Sequence, residues 1–376
     1  MIEKYYSGVI EQIYNRIGKE TRNIVMANYS NDFSIENLEV IRRYQSNEDN
    51  VFFAYSEFSY NTLVGAYEPF LDIICNMHRR FIGGSFDDFQ KECGVYYLHR
   101  QVLNSYYETG ECFREEMVLL NEVAYEQRRM TMAIADMLKR LSEVKPLMIV
   151  INRFQMASKS SIETIKYLID NPCANIGIVL GVNALVKGAD STVEVWDSIV
   201  ESLEDRSAVY YIGSAGQLKN TVKTTNDDEM YITMNFEQSI QEASNIMEFL
   251  DFEQAKRGCR IIEHKLKFED AWIDEKSLRR FYMVYARTSV LLGEMSKAIE
   301  LTNEFKALIP ENDSEHYLSL YYFMKGTCYM YQGKLEKAGN SAKSAYDYAV
   351  LAEDDILIFK AELLSVMIKM SGWYNI

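Results

Sequence analysis

The glycine and lysine spacing closest to a phosphate-binding loop occurs at Gly213, Gly216 and Lys219. In such a loop, glycines let backbone N–H groups surround the phosphates, and a lysine neutralises their charge. Leu218 takes the place of the second glycine of a complete motif, and Asn220 takes the place of the magnesium-binding hydroxyl. The segment is therefore an incomplete candidate for phosphate binding. A loop that leaves a strand is the alternative interpretation.

Residues 28–34 are the second place where a phosphate could bind, because they connect a predicted strand to a predicted helix. Aligning the phosphate-loop motif on Ser34 puts Asp32 at the second glycine and Phe33 at the lysine. Only the hydroxyl of Ser34 remains from the motif, and the Asp32 carboxylate would repel phosphate charge. The sequence therefore predicts no ATP binding in the usual mode.

A βαβ unit between these two loops would position any nucleotide chemistry. The run 147–151, LMIVI, shows no alternation, which is typical of a strand covered on both faces of a parallel sheet. Ser160 and Glu163 have the spacing of a capping box and predict the start of an amphipathic helix. Residues 175–180, NIGIVL, form a second buried strand after it. Strand, helix and strand in close succession are a βαβ unit.

This unit resembles the Walker B strand and following helix of the STAND ATPases, the signal-transduction ATPases related to the AAA class that are joined to helical repeats. The chain keeps the strand and, after it, Phe154, Gln155 and Ala157. Asn152 and Arg153 stand where that family has two acids. The resemblance implies a P-loop-NTPase-like parallel sheet with strands in the order fifth, first, fourth, third, second. The departures at Asn152 and Arg153 imply that the catalytic acids are lost.

Two further departures from the family concern its nucleotide sensor and its lid. Asn183 is the nearest match to the arginine that senses phosphate, and residues 217–235 are too few for the helical lid and winged-helix module. We therefore expect no cofactor and no enzyme activity. A divergent ATPase that uses the Gly213 loop is the alternative.

The predicted elements of the first domain follow from apolar runs and helical periodicity. The strands are 23–27, 51–55, 147–151, 175–180 and 208–212. The helices are 4–16, 35–44, 70–81, 86–93, 95–107, 116–144 and the one after Ser160.

The remainder of the chain shows an internal repeat. Residues 292–298, LGEMSKA, align with 332–338, QGKLEKA, 40 positions later, and Phe252 opens an equivalent helix. Gly372 repeats the turn glycine Gly333 after 39 positions. Small residues recur because antiparallel helices must approach closely where they cross. The unit resembles a long tetratricopeptide (TPR) repeat.

The expected fold class is α/β plus all-α: a P-loop-NTPase-like sheet domain followed by TPR-like helical repeats. We place the first domain at 1–216, a linker at 217–235 and the repeats at 236–376. The repeats end without a polar capping helix, which predicts either a fragment or an end that a partner, such as a second copy, covers.

Binding of a protein or peptide is expected on the first helix of each repeat, at 280–292 and 316–331. Exposed tyrosine and arginine are enriched at binding hot spots. The candidate residues are Arg280, Tyr282, Tyr285, His316, Tyr321 and Tyr322. Packing of these tyrosines between helices is the alternative.

Composition restricts the remaining function classes. The net charge of −15 argues against nucleic-acid or anionic-membrane binding, and no apolar run is long enough to span a membrane. Six dispersed cysteines and four histidines without ligand spacing predict a cytoplasmic protein with reduced thiols and no metal. The resemblance to STAND ATPases with TPR-like repeats implies a non-catalytic signalling module of a larger bacterial regulator, with an output domain such as a helix-turn-helix or a diguanylate cyclase. A TPR scaffold with a structural first domain is the other alternative.

Overall fold

The computed structural model describes residues 2–29, 38–46, 50–59, 63–112, 122–183, 186–187, 192–212, 223–224, 235–268, 273–312 and 314–373. Two compact units divide the chain. One contains Met1–Cys112 and Tyr125–Thr233, and the other contains Phe113–Ala124 and Met234–Ile376. None of the helices in the described ranges is long and apolar enough to cross a membrane.

A five-stranded parallel sheet forms the centre of the first unit. Its strands are β1 (Ile24–Tyr29), β2 (Phe52–Glu57), β3 (Leu147–Asn152), β4 (Ile176–Asn183) and β6 (Val209–Ile212), and a separate parallel pair joins β5 (Val186–Lys187) to β7 (Lys223–Thr224). The order across the large sheet is β2-β3-β4-β1-β6. The five predicted strands and their predicted order are thereby confirmed. β3 and β4 are buried throughout, which explains their unbroken apolar runs.

Eight α-helices of this unit lie within the described ranges. They are α1 (Ile2–Arg16), α2 (Glu39–Ser46), α3 (Phe70–Met77), which continues into a π-helical turn (His78–Ile82), α4 (Phe86–Glu92), α5 (Tyr97–Thr109), α6 (Val123–Val144), α7 (Lys159–Asp170) and α8 (Val193–Glu204). Each predicted helix has a counterpart among these, but several bounds differ: α2 begins at Glu39, α5 at Tyr97 and α6 at Val123, so the described residues 38, 95, 96 and 122 are not helical.

The helices cover the sheet in two layers. Residues of α1 and α2 share one apolar core with alternate residues of β1 to β4, such as Val25, Phe53, Val150 and Val179. The connection from β1 to β2 runs across the sheet in the direction opposite to the later ones. Right-handed crossovers therefore put α2 on one face and α7 and α8 on the other.

A glycine in β4 allows α1 to lie close to the sheet. A Cβ atom on Gly177 would be 2.8 Å from Ile17 Cδ1 and 2.9 Å from Ile13 Cγ2. Any side chain at this position would push α1 away, because buried helices pack at nearly crystalline density.

The start of α7 corrects the predicted capping box at Ser160 and Glu163. The N-cap is Ser158, whose hydroxyl accepts a hydrogen bond from the Ser161 N–H. The hydroxyls of Ser160 and Ser161 bond instead to the segment before α3: Ser160 accepts from the Tyr67 N–H, and Ser161 donates to the Glu68 carbonyl. Because both hydroxyls have these partners, the cap moves to Ser158.

The second unit contains seven helices in its described residues. They are α9 (Phe236–Glu248), α10 (Phe252–Phe268), α11 (Glu275–Leu291), α12 (Met295–Ala307), α13 (Ser314–Tyr331), α14 (Leu335–Leu351) and α15 (Asp355–Trp373). Consecutive helices pack in pairs, and α9, α11, α13 and α15 also contact one another in a row. The chain therefore forms stacked helix pairs, as its repeat predicts.

Glycines mark the turns of two repeats. Gly293 has φ 77° and Gly333 has φ 72°, a left-handed conformation that glycine adopts without steric cost, and both confirm the predicted turns. Gly372 does not follow them, because α15 is still helical at Trp373. The prediction of a third turn glycine is therefore wrong.

Candidate functional site

The carboxyl ends of β1 and β4 form the part of the sheet where a ligand is expected. The chain leaves β1 toward α2 and leaves β4 toward α8, on opposite faces. In open parallel sheets, ligands bind in the crevice at such a switch point. Tyr29 and Asn183 end these two strands and are partners in the register. With Asn152 at the end of β3, they define the candidate site.

The side chain of Asn152 is occupied by structural hydrogen bonds. Its Oδ1 accepts from the Tyr29 hydroxyl at 2.6 Å and from the N–H of Arg153 at 3.0 Å. Asn152 is fully buried, and its Nδ2 has no hydrogen-bond partner among the described residues. Magnesium prefers carboxylate and water oxygens. Position 152 therefore supplies no charged ligand for a nucleotide-bound magnesium.

Arg153 occupies the place of the second acid and is engaged with β2. Its backbone is left-handed, with φ 54°, and its guanidinium lies 3.1 Å from a carboxylate oxygen of Glu57. It also donates to the Phe58 carbonyl at 3.4 Å. A cation paired in this way cannot activate an attacking water as a general base.

The tyrosine that bonds to Asn152 packs against Tyr6, and Tyr55 lies near Tyr6. The rings of Tyr6, on α1, and Tyr29 meet edge to face with centroids 6.3 Å apart. Burial raises the pKa of Tyr6 well above its usual value, and the nearby Tyr29, Tyr55 and Glu57 raise it further. The Tyr55 hydroxyl donates to the Glu57 carboxylate. The pKa of Tyr6 keeps its phenol neutral at physiological pH, so it cannot act as a base.

Gln155 links the turn after β3 to the end of β4. Its Nε2 donates to the Asn183 carbonyl, and its Oε1 accepts from the Asn183 N–H, both at 3.3 Å. The short 3₁₀ turn Phe154–Met156 places it there. Gln155 and Asn183, two positions highlighted by the family resemblance, are therefore neighbours whose side-chain and backbone groups satisfy each other.

Sequence reasoning missed Tyr6, Tyr29 and Glu57 as parts of this site. Tyr29 and Glu57 end their strands, and strand ends at one edge of a parallel sheet converge. Tyr6 continues the apolar face of α1 through Val9, Ile10 and Ile13. Both signals are present in the sequence, although neither says which residues touch.

The motif residues of both predicted phosphate-binding loops lie outside the described ranges. Asp32, Phe33 and Ser34 lie in the range 30–37, and Gly213, Gly216 and Lys219 lie in 213–222. Their contribution to nucleotide binding stays a prediction from the sequence.

Metal and thiol chemistry find little support in the described ranges. No cluster of three or more histidine, cysteine or acidic side chains there could hold a metal ion. Burial raises the pKa of Cys75 to about 11 and that of Cys93 and Cys328 to about 12. These thiols stay protonated at neutral pH and are therefore poor nucleophiles.

Four of the six predicted partner-binding residues reach the surface of the repeats. Arg280 is exposed on α11, and Tyr282 is partly exposed beside it. On α13, Tyr322 is partly exposed, and its ring stacks on Tyr348 with centroids 5.6 Å apart. His316 Nδ1 lies 3.1 Å from a carboxylate oxygen of Asp354.

The other two predicted residues, Tyr285 and Tyr321, pack inside the helical unit. Tyr285 is 3% exposed and Tyr321 is 2% exposed. The Tyr321 hydroxyl accepts from Lys325 Nζ at 2.7 Å, and Lys306 Nζ lies 5.1 Å from the centre of its ring. These two rings stabilise the unit and offer little surface to a partner.

No protein-family description and no curated protein matches this chain.

Proposed function

We propose that this chain is a non-catalytic regulatory protein, in which a degenerate STAND/AAA-type unit accompanies a TPR-like platform for a protein or peptide. It would form the sensor part of a larger bacterial signalling regulator. The observation that carries the non-catalytic part is the hydrogen bond from Tyr29 to Asn152. At position 152 the ATPase pattern has a magnesium-binding acid, whereas here the side chain accepts a structural hydrogen bond.

The neighbouring ion pair supports the same proposal. ATP hydrolysis needs a group that orients or deprotonates the attacking water. Arg153 stands at that position and pairs with Glu57 at 3.1 Å. Restoring an acid at only one of the positions 152 and 153 would still leave the other acid missing. Both positions at the end of β3 make structural contacts in place of the two acids.

The helical unit supports the binding part of the proposal. Stacked helix pairs build an extended surface from the first helix of each pair. Here α11 and α13 contact each other and carry Arg280, Tyr282 and Tyr322 at exposed or partly exposed positions. Tyrosine and arginine offer large contact area with directed hydrogen bonds. The acidic net charge favours a neutral or basic ligand segment.

Affinity capture with the full chain tests the binding part. The bait variants are the double substitution Arg280→Ala/Tyr282→Ala and a matched pair on α14, Lys343→Ala/Tyr346→Ala, where both residues are exposed. We expect proteins retained from a bacterial lysate by the unmodified bait to be lost with the α11 variant and kept with the α14 variant. Equal retention by both variants would contradict the proposed platform.

A calorimetric titration with Mg-ATP tests the non-catalytic part separately. We expect no binding heat at concentrations up to about 1 mM, a range that covers typical affinities for a working substrate site. Saturable binding accompanied by phosphate release would instead favour a divergent ATPase.

A further inference from the structure

β2 presents an open edge of the sheet. Within the described residues it stands last in the strand order, next to β3. The N–H of Phe52 donates to the Pro146 carbonyl at 2.7 Å, and the N–H of Phe58 donates to the Asn152 carbonyl at 3.2 Å. Because N–H groups alternate in direction along a strand, those of Phe53 and Glu57 point away from β3. Edges of this kind accept an added strand.

A groove of about 430 Å³ follows this edge. Residues 52–56 of β2 form one wall, and Asp72, Asn76 and Arg80 on one face of α3 form the other. Gln45 at the end of α2 also lines it. The groove is therefore a slot between the strand edge and the helices on either side, which matches the shape of an extended segment.

The end of the groove near the start of α3 carries two carboxylates. The Gly65 N–H donates to Glu68 Oε2 at 2.9 Å, and the Ser161 hydroxyl donates to the Glu68 carbonyl at 2.7 Å, which fixes the residue in place. Asp72 Oδ1 accepts from the Tyr106 hydroxyl at 3.1 Å. Burial raises the pKa of Glu68, and the Asp72 carboxylate raises it further. A cation placed here would relieve this repulsion.

The opposite end of the groove is basic and apolar. The Arg80 guanidinium lies 5.5 Å from the centre of the Phe52 ring and 5.1 Å from that of Phe81. The position of Arg80 beside Phe52, where β2 begins, separates it from the acidic end. The positive charge of Arg80 therefore lies at the other end of the groove from the Glu68 and Asp72 carboxylates.

We propose that this groove binds an extended segment of a partner protein, which adds a strand to β2 and places a lysine or arginine against Glu68 and Asp72. Backbone hydrogen bonds to the edge would supply affinity, and the acidic pair would select the side chain. This inference concerns the first unit and does not depend on the helical platform.

Selection from a phage-displayed library of random peptides on the full-length protein tests the proposal. We expect the selected peptides to combine β-branched residues with at least one lysine or arginine. A synthetic peptide of the selected sequence is then compared with two versions: one N-methylated at alternate residues and one with glutamate in place of lysine. Both changes should weaken binding at least tenfold in fluorescence anisotropy, because the first removes edge hydrogen bonds and the second reverses the charge.

The protein variant Glu68→Gln keeps an acceptor for the Gly65 N–H and removes the charge. It should weaken the lysine peptide about fivefold to tenfold and raise the relative affinity of the glutamate peptide. Glu108→Gln, an exposed acid on α5 outside the groove, is the matched control and should change neither affinity. Equal melting temperatures of the two variants verify folding.

Several outcomes would overturn the proposal. The first is that no peptide is enriched above the vector background. Another is that N-methylation or Glu68→Gln leaves the affinity unchanged. A third is a concentration-dependent dimer in sedimentation that competes with the peptide, because it would assign the edge to a second copy.

Discussion

The hydroxyl of Tyr29, at the end of β1, donates a 2.6 Å hydrogen bond to the side chain of Asn152, at the end of β3. β4 lies between these strands, and the register places its Gly181 beside Ala27. Residue 181 has no side chain, so it leaves room above β4 on the face toward α1 for the tyrosine to cross. The hydrogen bond therefore links β1 to β3 across β4, at the carboxyl ends of these strands.

Tyr29→Phe should destabilise the first unit by removing this buried hydrogen bond. A hydrogen bond lost from a buried pair costs about 1–2 kcal/mol when one partner stays behind, here the Asn152 amide. For a unit of this size the melting temperature should fall by about 2–8 °C. Differential scanning calorimetry measures this shift.

Tyr5→Phe is the matched control, because Tyr5 is 63% exposed on the same helix as Tyr6. Its melting temperature should equal that of the unmodified chain. A double-mutant cycle of Tyr29→Phe with Asn152→Ala should show a coupling of about 1 kcal/mol. Additive effects would mean that the two side chains do not stabilise each other.

The chain should release no phosphate from ATP in a magnesium-dependent manner. Asn152→Asp alone should not create turnover, because Arg153 would still occupy the position of the second acid. The triple substitution Asp32→Gly/Phe33→Lys/Asn152→Asp restores more of the motif and should recover nucleotide binding, measured by calorimetry. Phosphate release by the unmodified chain above that of a heat-inactivated sample would contradict the first expectation.

The sheet was predictable because its signal is local and strong. Residues 147–151 and 175–180 are short, largely apolar runs without alternation, which are typical of a strand buried on both faces. Once five strands are set by such runs, right-handed crossovers and the family resemblance leave few possible orders. The strand positions therefore followed from the apolar runs, and the strand order was what the family resemblance implied.

The details of the site were not predictable, because they depend on contacts across the sheet. Nothing local says that Tyr29 reaches over β4 to Asn152. The capping of α7 shows the same limit: three serines lie close together, and Ser158 became the cap because Ser160 and Ser161 bond to the segment before α3. Burial of Tyr285 and Tyr321 likewise depends on which side of each helix meets its neighbours.

Cys93 should react slowly with iodoacetamide despite being only partly buried. Burial raises the pKa of its thiol to about 12, whereas an ordinary cysteine titrates near 9. At pH 8 its thiolate fraction is then about a thousandfold lower than that of an ordinary cysteine. Because the pKa is raised, the rate should climb about tenfold per pH unit between pH 8 and 10.

Mass spectrometry of the labelled peptides measures this rate in the native chain. The same cysteine in the urea-unfolded chain is the control and should react at the rate of a model thiol. Native labelling of Cys93 at that rate at pH 8 would show that its thiol is not shielded.

Two helical glycines of the second unit should respond differently to substitution. At Gly326, on α13, an added Cβ would lie 3.0 Å from Leu364 Cδ2 and 3.3 Å from Ser341 Cβ. At Gly339, on α14, no atom lies within 4 Å of that position apart from those of its chain neighbours and the backbone of its own helix. Gly339→Ala should therefore stabilise the unit by about 0.5–1 kcal/mol, because alanine loses less backbone entropy in a helix.

Gly326→Ala should gain less, because Leu364 is fully buried and can move only by disturbing its neighbours. Gly326→Val adds two methyl groups to the same contact and should destabilise the unit by about 1–3 kcal/mol. Melting temperatures of the three variants measure these effects. An equal gain from alanine at both positions would mean that α13 can shift away from α14 and α15 at no cost, and that the close approach of the helices does not require a glycine.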